Sequence, residues 1–339
     1  MDCRGIAAEI HLNPAVFRRF DNCRAEGILQ RSVVMRKLYT SPSLAALNFH
    51  NYCQKVILDV PEYLAACRDQ PYCLASGIPA YSDITTFAPQ HSFSNSDCSD
   101  AISWLKNGYL YKSRFFSSDL CITALEQLRQ SQHDWNVYNY SHLASLLDFY
   151  CSPALNSLLA SIAGVEPVLY MSLHNLRTTA RSWHQDEFLC RTQTVGSSFA
   201  VWIALDDISP DMGPLCILPG SHRLPILDKG KLDRYLARGP DLISTATDSH
   251  ALSNKSAAIT VPVYESMTAG FDFQPLQYLP KQGDVLVFHS RLLHRACRAS
   301  VDSNERPAII GHYCSLNEIP TTQRLSLKKH GAGLFAEET

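Results

Sequence analysis

The chain is predicted to fold as a mainly β domain with flanking helices, on three observations. Glu166 to Asn175, Ser198 to Leu205 and Val285–Phe288 have the alternating or continuous apolar character of buried strands. Helical spacing falls in separate segments, at Ser43–Lys55, Pro61–Arg68, Ser118–Ser131 and the stretch that follows Pro153. Finally, His184 and Asp186, separated by the single residue Gln185 on an extended segment, are answered by His294 at the close of the strand that begins at Gly283-Asp284.

Taken in order, residues 1–100 are expected to form a largely helical N-terminal extension, a layer against the core, that ends in the polar stretch Pro89–Asp97. The core then spans 101–320. It opens with a strand at Asn107–Tyr111 and an amphipathic helix at Ser118–Ser131. Ser152 reads as an N-cap with Pro153 at the first helical position, and Leu155, Leu158, Leu159 and Ile162 form a buried stripe before Gly164. On the strand from Glu166, the residues Met171, Leu173, Asn175 and Arg177 share one face. Strand character is lost near 225–282, which marks an insertion; residues 240–275 within it are expected to help choose a substrate. Residues 321–339 are left as a C-terminal tail.

The chemistry is carried by Trp183-His184-Gln185-Asp186-Glu187 and the distant His294. Alternation along an extended segment points His184 and Asp186 the same way and turns Trp183, Gln185 and Glu187 elsewhere. Two imidazoles and one carboxylate form the facial triad that holds non-haem iron(II) and leaves neighbouring coordination positions open. Among 13 histidines and 32 acidic residues a bare His-x-Asp means little, so the surrounding blocks decide. These are Ser198–Leu205, Met212-Gly213-Pro214-Leu215 running to Pro219-Gly220-Ser221-His222, Gly283–His294, and Arg306–Tyr313.

In this order the blocks resemble the phytanoyl-CoA dioxygenase family of iron(II)/2-oxoglutarate enzymes, over roughly residues 101–316. The resemblance implies a double-stranded β-helix, a cupin-like jelly roll of two antiparallel sheets. It assigns iron(II) to His184, Asp186 and His294, the far carboxylate of 2-oxoglutarate to Arg306, and a cofactor-site role to Trp202. Asn175 and Arg177 join as cavity-facing candidates for 2-oxoglutarate or substrate. The implied reaction consumes dioxygen, releases succinate and carbon dioxide, and hydroxylates or otherwise oxidises a carbon of a small molecule, in the manner of a biosynthetic enzyme. Guanidinium suits the far carboxylate because its planar fork donates two parallel charge-assisted hydrogen bonds. Asp186 argues against chlorination, since the resembled halogenases carry Gly or Ala there to admit chloride. Two departures stand out: Ala296 occupies the place of a Ser that assists the Arg, and the stretch from His294 to Arg306 is about one residue long, which makes Arg298 a rival cation.

The remaining signals are bland. His222 reads as a structural hydrogen-bonding residue, and His289, an odd number of residues before His294, falls on the opposite strand face. The twelve cysteines show no CxxC pair of zinc or redox spacing; Cys190 and Cys297, near the ligands in sequence, are expected chiefly to fill space. A net charge of −2 without a basic stripe gives no footprint for nucleic acid. With no apolar run of membrane-spanning length and no signal pattern at Met1-Asp2-Cys3-Arg4-Gly5, the expectation is a cytoplasmic enzyme with no membrane partner. The oligomeric state is left open. Two other classes accommodate part of the pattern: a jelly-roll binding protein without turnover, and a zinc hydrolase, for which two His and one Asp also suffice.

Overall fold

The structure, a computed structural model, describes residues 17–19 and residues 100–338 apart from 101–102, 105–106, 132–139, 141–142, 164–165, 178–179, 187–191, 193–197, 224–273, 301–304 and 320–324. The helical patterns at Ser43–Lys55 and Pro61–Arg68, the segment 240–275 and Cys190 lie outside the described residues.

Two sheets form the core. The larger has seven strands: β2 (Tyr109–Lys112), β3 (Pro167–Arg177), β5 (Ser198–Ala204), β8 (Val285–His289), β10 (Glu305–Ser315), β11 (Leu325–His330) and β12 (Gly333–Glu338), in the order β11-β12-β3-β10-β5-β8-β2. The smaller has five: β1 (Phe17–Arg19), β4 (Arg181–His184), β6 (Leu215–Ile217), β7 (Leu276–Tyr278) and β9 (His294–Ala296), in the order β1-β7-β6-β9-β4. Crossovers between the sheets make this the expected jelly roll. All pairs are antiparallel except β12 with β3.

Alternation on β5 and β8 divides the interior into two layers. Ala200, Trp202, Leu286 and Phe288 meet Leu215, Ile217, Leu276 and Tyr278 between the sheets. Phe199, Val201, Ile203, Val285 and Val287 face the helices instead. Of these, α1 (Ser118–Gln130) is capped by Ser117, whose side chain accepts from Leu120 N, and carries Asp119 in its first turn and Arg129 in its last, matching the helix dipole. It buries Cys121, Ala124, Leu125 and Leu128, the i, i+3, i+4, i+7 stripe. A short α2 (Leu147–Tyr150) leads into α3 (Pro153–Ala163), where Leu155 N donates to Ser152 Oγ at 3.3 Å and Leu155 and Leu159 are buried. Each fully buried leucine contributes about 1.5–3 kcal/mol.

The structure corrects two expectations. Leu276–Tyr278, left within the 225–282 insertion, is strand β7, paired with β6 on one side and β1 on the other. Its three residues are too few to show a period, and neighbouring strands decide its form. Residues 325–338, read as a tail, form the hairpin β11–β12 that extends the larger sheet. Phe335 anchors it against Tyr140, ring centroids 5.6 Å apart at 78°. Among the described residues no helix is long and apolar enough to cross a membrane.

Candidate metal centre

His184 ends β4 and His294 begins β9, and the two are direct cross-strand partners. β9 is held on its other side by β6, with Ile217 opposite His294. Asp186 lies two residues past His184, just beyond the end of β4, and turns its carboxylate back toward both rings. His184 Nε2 stands 3.6 Å and His294 Nε2 3.4 Å from Asp186 Oδ1. One ligand atom from each of the three residues lies within 4.8 Å of the others.

The tautomers follow from the backbone. His184 Nδ1 contacts Ser182 O at 2.8 Å and His294 Nδ1 contacts Leu292 O at 3.0 Å. A carbonyl only accepts, so Nδ1 carries the proton in each ring and Nε2 offers a lone pair toward Asp186. Burial, reinforced by the charges of His294 and Arg181 and opposed by Asp186, pushes His184 well below the usual histidine range, so it is neutral at pH 7. Burial alone would raise the Asp186 carboxyl, but His294, His312 and His184 outweigh it and hold it far below the usual carboxylate range. A neutral imidazole and an ionised carboxylate are the states that ligation requires.

Neighbouring groups hold the backbone in place. Between the two candidate ligands, Gln185 faces the other way and donates from Nε2 to Arg291 O at 2.7 Å, tying β4 to the turn before His294. Ser221 Oγ donates to Leu218 O at 2.6 Å and accepts from Leu293 N at 2.8 Å, so the Pro-Gly-Ser-His turn braces the residue before His294. Behind the small sheet, the Arg295 guanidinium sits 5.2 Å from the Trp183 ring centroid.

Arg306, at the start of β10, is 3% exposed. Its Nη1 donates to Gly213 O at 2.8 Å, while Nε has no hydrogen-bond partner among the described residues. Gly213, at φ 68°, turns the chain into β6 and aims that carbonyl inward. Burial pulls the guanidinium down to about 10, with Cys297 near enough to oppose the shift. Cys297 is three residues from His294, about 10 Å along a strand. The rival Arg298 is exposed.

Trp202 lies in the layer between the sheets, its ring edge-on to Tyr278 at 5.5 Å. Asn175 and Arg177 are placed on β3 opposite Ala308 and Glu305 of β10. His289 faces away from the centre: its Nδ1 accepts from Arg291 N at 3.0 Å and its ring lies 5.7 Å from Trp104 and 5.8 Å from His222. His222 closes over Gly108, where a Cβ would come within 2.4 Å of its Nδ1. Cys297 Sγ lies 3.1 Å from Cys216 Sγ, both buried free thiols.

One residue of the centre was not singled out from sequence. His312, 2% exposed on β10 of the opposite sheet, brings Nδ1 to 4.0 Å from Asp186 Oδ2. In sequence it is a lone histidine in the apolar run after Arg306, and only its place on the inward-facing alternation with Ala308 and Ile310 marks it.

Residues 123–303, more than half of the chain, match the family described as phytanoyl-CoA dioxygenase (PhyH). Phytanoyl-CoA dioxygenase domain-containing protein 1 of Danio rerio is 22% identical over 160 residues, which cover 45% of this chain and 47% of that protein, so the match spans less than half of the relative's length. Among solved structures, the non-heme alpha ketoglutarate dependent epimerase SnoN from nogalamycin biosynthesis aligns with a TM-score of 0.50 and 16% identity, covering 71% of this chain and 98% of that one. EctD from S. alaskensis aligns with a TM-score of 0.46 and 15% identity, covering 67% and 79%. At such identities the likeness to SnoN is one of fold.

Proposed function

The chain belongs to the phytanoyl-CoA dioxygenase family, and from that premise we propose that it is an iron(II)- and 2-oxoglutarate-dependent oxygenase acting on a small molecule. The convergence of His184, Asp186 and His294 carries the proposal. Two imidazole nitrogens and a carboxylate oxygen are a donor set for iron(II) that leaves adjacent positions for a chelating keto acid and dioxygen. When bound, iron(II) would activate dioxygen as the oxidant, with 2-oxoglutarate supplying two electrons and leaving as succinate and carbon dioxide.

The protein's own groups have distinct tasks. His184 and His294 present Nε2, their rings fixed by the Nδ1–H bonds to Ser182 O and Leu292 O. Arg306 takes the distal carboxylate of 2-oxoglutarate: a buried guanidinium with an unmatched Nε calls for an anionic partner, and its hydrogen-bond acceptor among the described residues is a neutral carbonyl. A metal hydrolase would leave that cation unexplained. Trp202 walls the space between the sheets, and Asn175 and Arg177 remain candidates for contact with 2-oxoglutarate or substrate. Asp186 fills the place a halide would need, which favours hydroxylation or a related oxidation over chlorination.

The test is an anaerobic titration of the iron(II)-loaded protein with 2-oxoglutarate, followed by the visible charge-transfer band of the chelated keto acid. A saturating band is expected. Iron binding without a band removes 2-oxoglutarate from the reaction and overturns the proposal.

A further inference from the structure

We propose that His312 is a positioning residue that engages Asp186 Oδ2 and so presents Asp186 to the metal through Oδ1 alone. The inference rests on the metal reading above. The two carboxylate oxygens have different surroundings: Oδ1 faces His184 Nε2 at 3.6 Å and His294 Nε2 at 3.4 Å, whereas Oδ2 faces His312 Nδ1 at 4.0 Å. The three contacts come from both sheets, so the carboxylate sits in the seam of the jelly roll.

His312 is well placed to hold a fixed position. β10 is paired with β5 from Ala308 to Cys314 and with β3 on its other side, where the register shifts just after His312, and His312 lies opposite Met171 of β3 and Ala200 of β5. The small Ala200 leaves room for an imidazole between the sheets. At 4.0 Å the contact is longer than a hydrogen bond, and the broad χ2 torsion of an aspartate lets Oδ2 close the remaining gap while Oδ1 stays with the metal.

The consequence concerns the number of open coordination positions. A keto acid chelates through two atoms and dioxygen needs one more position, so a three-ligand site has none to spare. A carboxylate free to swing both oxygens onto the metal would take one of them. Holding Oδ2 away, as outer partners of metal ligands commonly do, keeps the site at three protein donors.

The test compares cobalt(II) affinity, measured by chelator competition, in wild type, His312→Phe and His312→Gln. Phe keeps a ring without a donor, and Gln keeps a donor without a ring. Because an unheld carboxylate is also free to turn Oδ1 away from the metal, and removing an outer partner typically weakens a metal site, we expect His312→Phe to lose about 10–100-fold in affinity and His312→Gln to stay within about 3-fold of wild type. Thermal melting of the metal-free proteins checks the fold; if His312→Phe does not fold, the adaptable apolar His312→Met takes its place. Should wild type bind no cobalt, the metal reading fails and the proposal with it. If wild type binds and the apolar variant binds as tightly, or His312→Gln is as weak as the apolar variant, only the role of His312 is overturned.

Discussion

Arg306→Met separates the stability of this protein from its proposed chemistry. Burial draws the guanidinium from its ordinary value down to about 10, which at 1.36 kcal/mol per pKa unit corresponds to about 3 kcal/mol spent on keeping it charged. Opposing that, loss of the Nη1 bond leaves Gly213 O without this donor, at a cost of about 1–3 kcal/mol. The two nearly cancel, so the metal-free variant should unfold in urea within about 1 kcal/mol of wild type, whereas a large buried side chain replaced by a smaller one ordinarily loses about 2–5 kcal/mol. With iron(II) or a redox-inert stand-in bound, 2-oxoglutarate at 100 times its Kd should stabilise wild type by about 2.7 kcal/mol and the variant by none. A variant as responsive to 2-oxoglutarate as wild type would refute the assignment of Arg306. One destabilised by more than about 3 kcal/mol in the absence of ligand would refute the claim that the buried cation lacks an anionic partner among the described residues.

Asp186→Ala should abolish metal binding and succinate release while leaving the circular dichroism spectrum unchanged; undiminished turnover would remove Asp186 from the ligand set. Metal-free protein should lose stability on acidification from pH 7.5 to 5. His184, His289 and His312 are all held below the usual range, chiefly by burial, so between the unfolded value near 6.5 and their folded values the unfolded chain binds more protons. Each adds up to about 1.4 kcal/mol per pH unit, and a urea midpoint that does not move over that interval would contradict their neutral burial. Gly108→Ala combines φ 77° with a Cβ 2.4 Å from His222 Nδ1, and should lower stability by about 2–4 kcal/mol in the same assay.

The three candidate ligands could be picked out from the sequence because they sit on local devices: a pair of side chains two positions apart on an extended segment, and a histidine where a strand turns. Arg306 was named from the apolar run that follows it, but its burial and its carbonyl partner at Gly213 depend on β10 lying across the start of β6. The helix at Ser118 announced itself through its amphipathic pattern, and that at Pro153 through its Ser152 cap and i, i+3, i+4 spacing. His312 did not, because its relation to Asp186 is set by how two sheets stack, which no local pattern encodes. Nor did β7 or the closing hairpin, whose short strands take their form from partners distant in the chain.

The pairing of His184 with His294 makes the centre a reporter of strand alignment. If β9 slid by one residue, Arg295 would take the inward place, His294 would turn to the outer face, and a cation would stand where a ligand belongs. A chain misaligned in this way could keep most of its secondary structure and yet hold no metal. The bonds from Gln185 to Arg291 O and from Leu293 N to Ser221 Oγ lie just before that strand and act as pins against the slip. Metal uptake by refolded protein would therefore count the molecules that found the right alignment, a quantity to which circular dichroism is nearly blind.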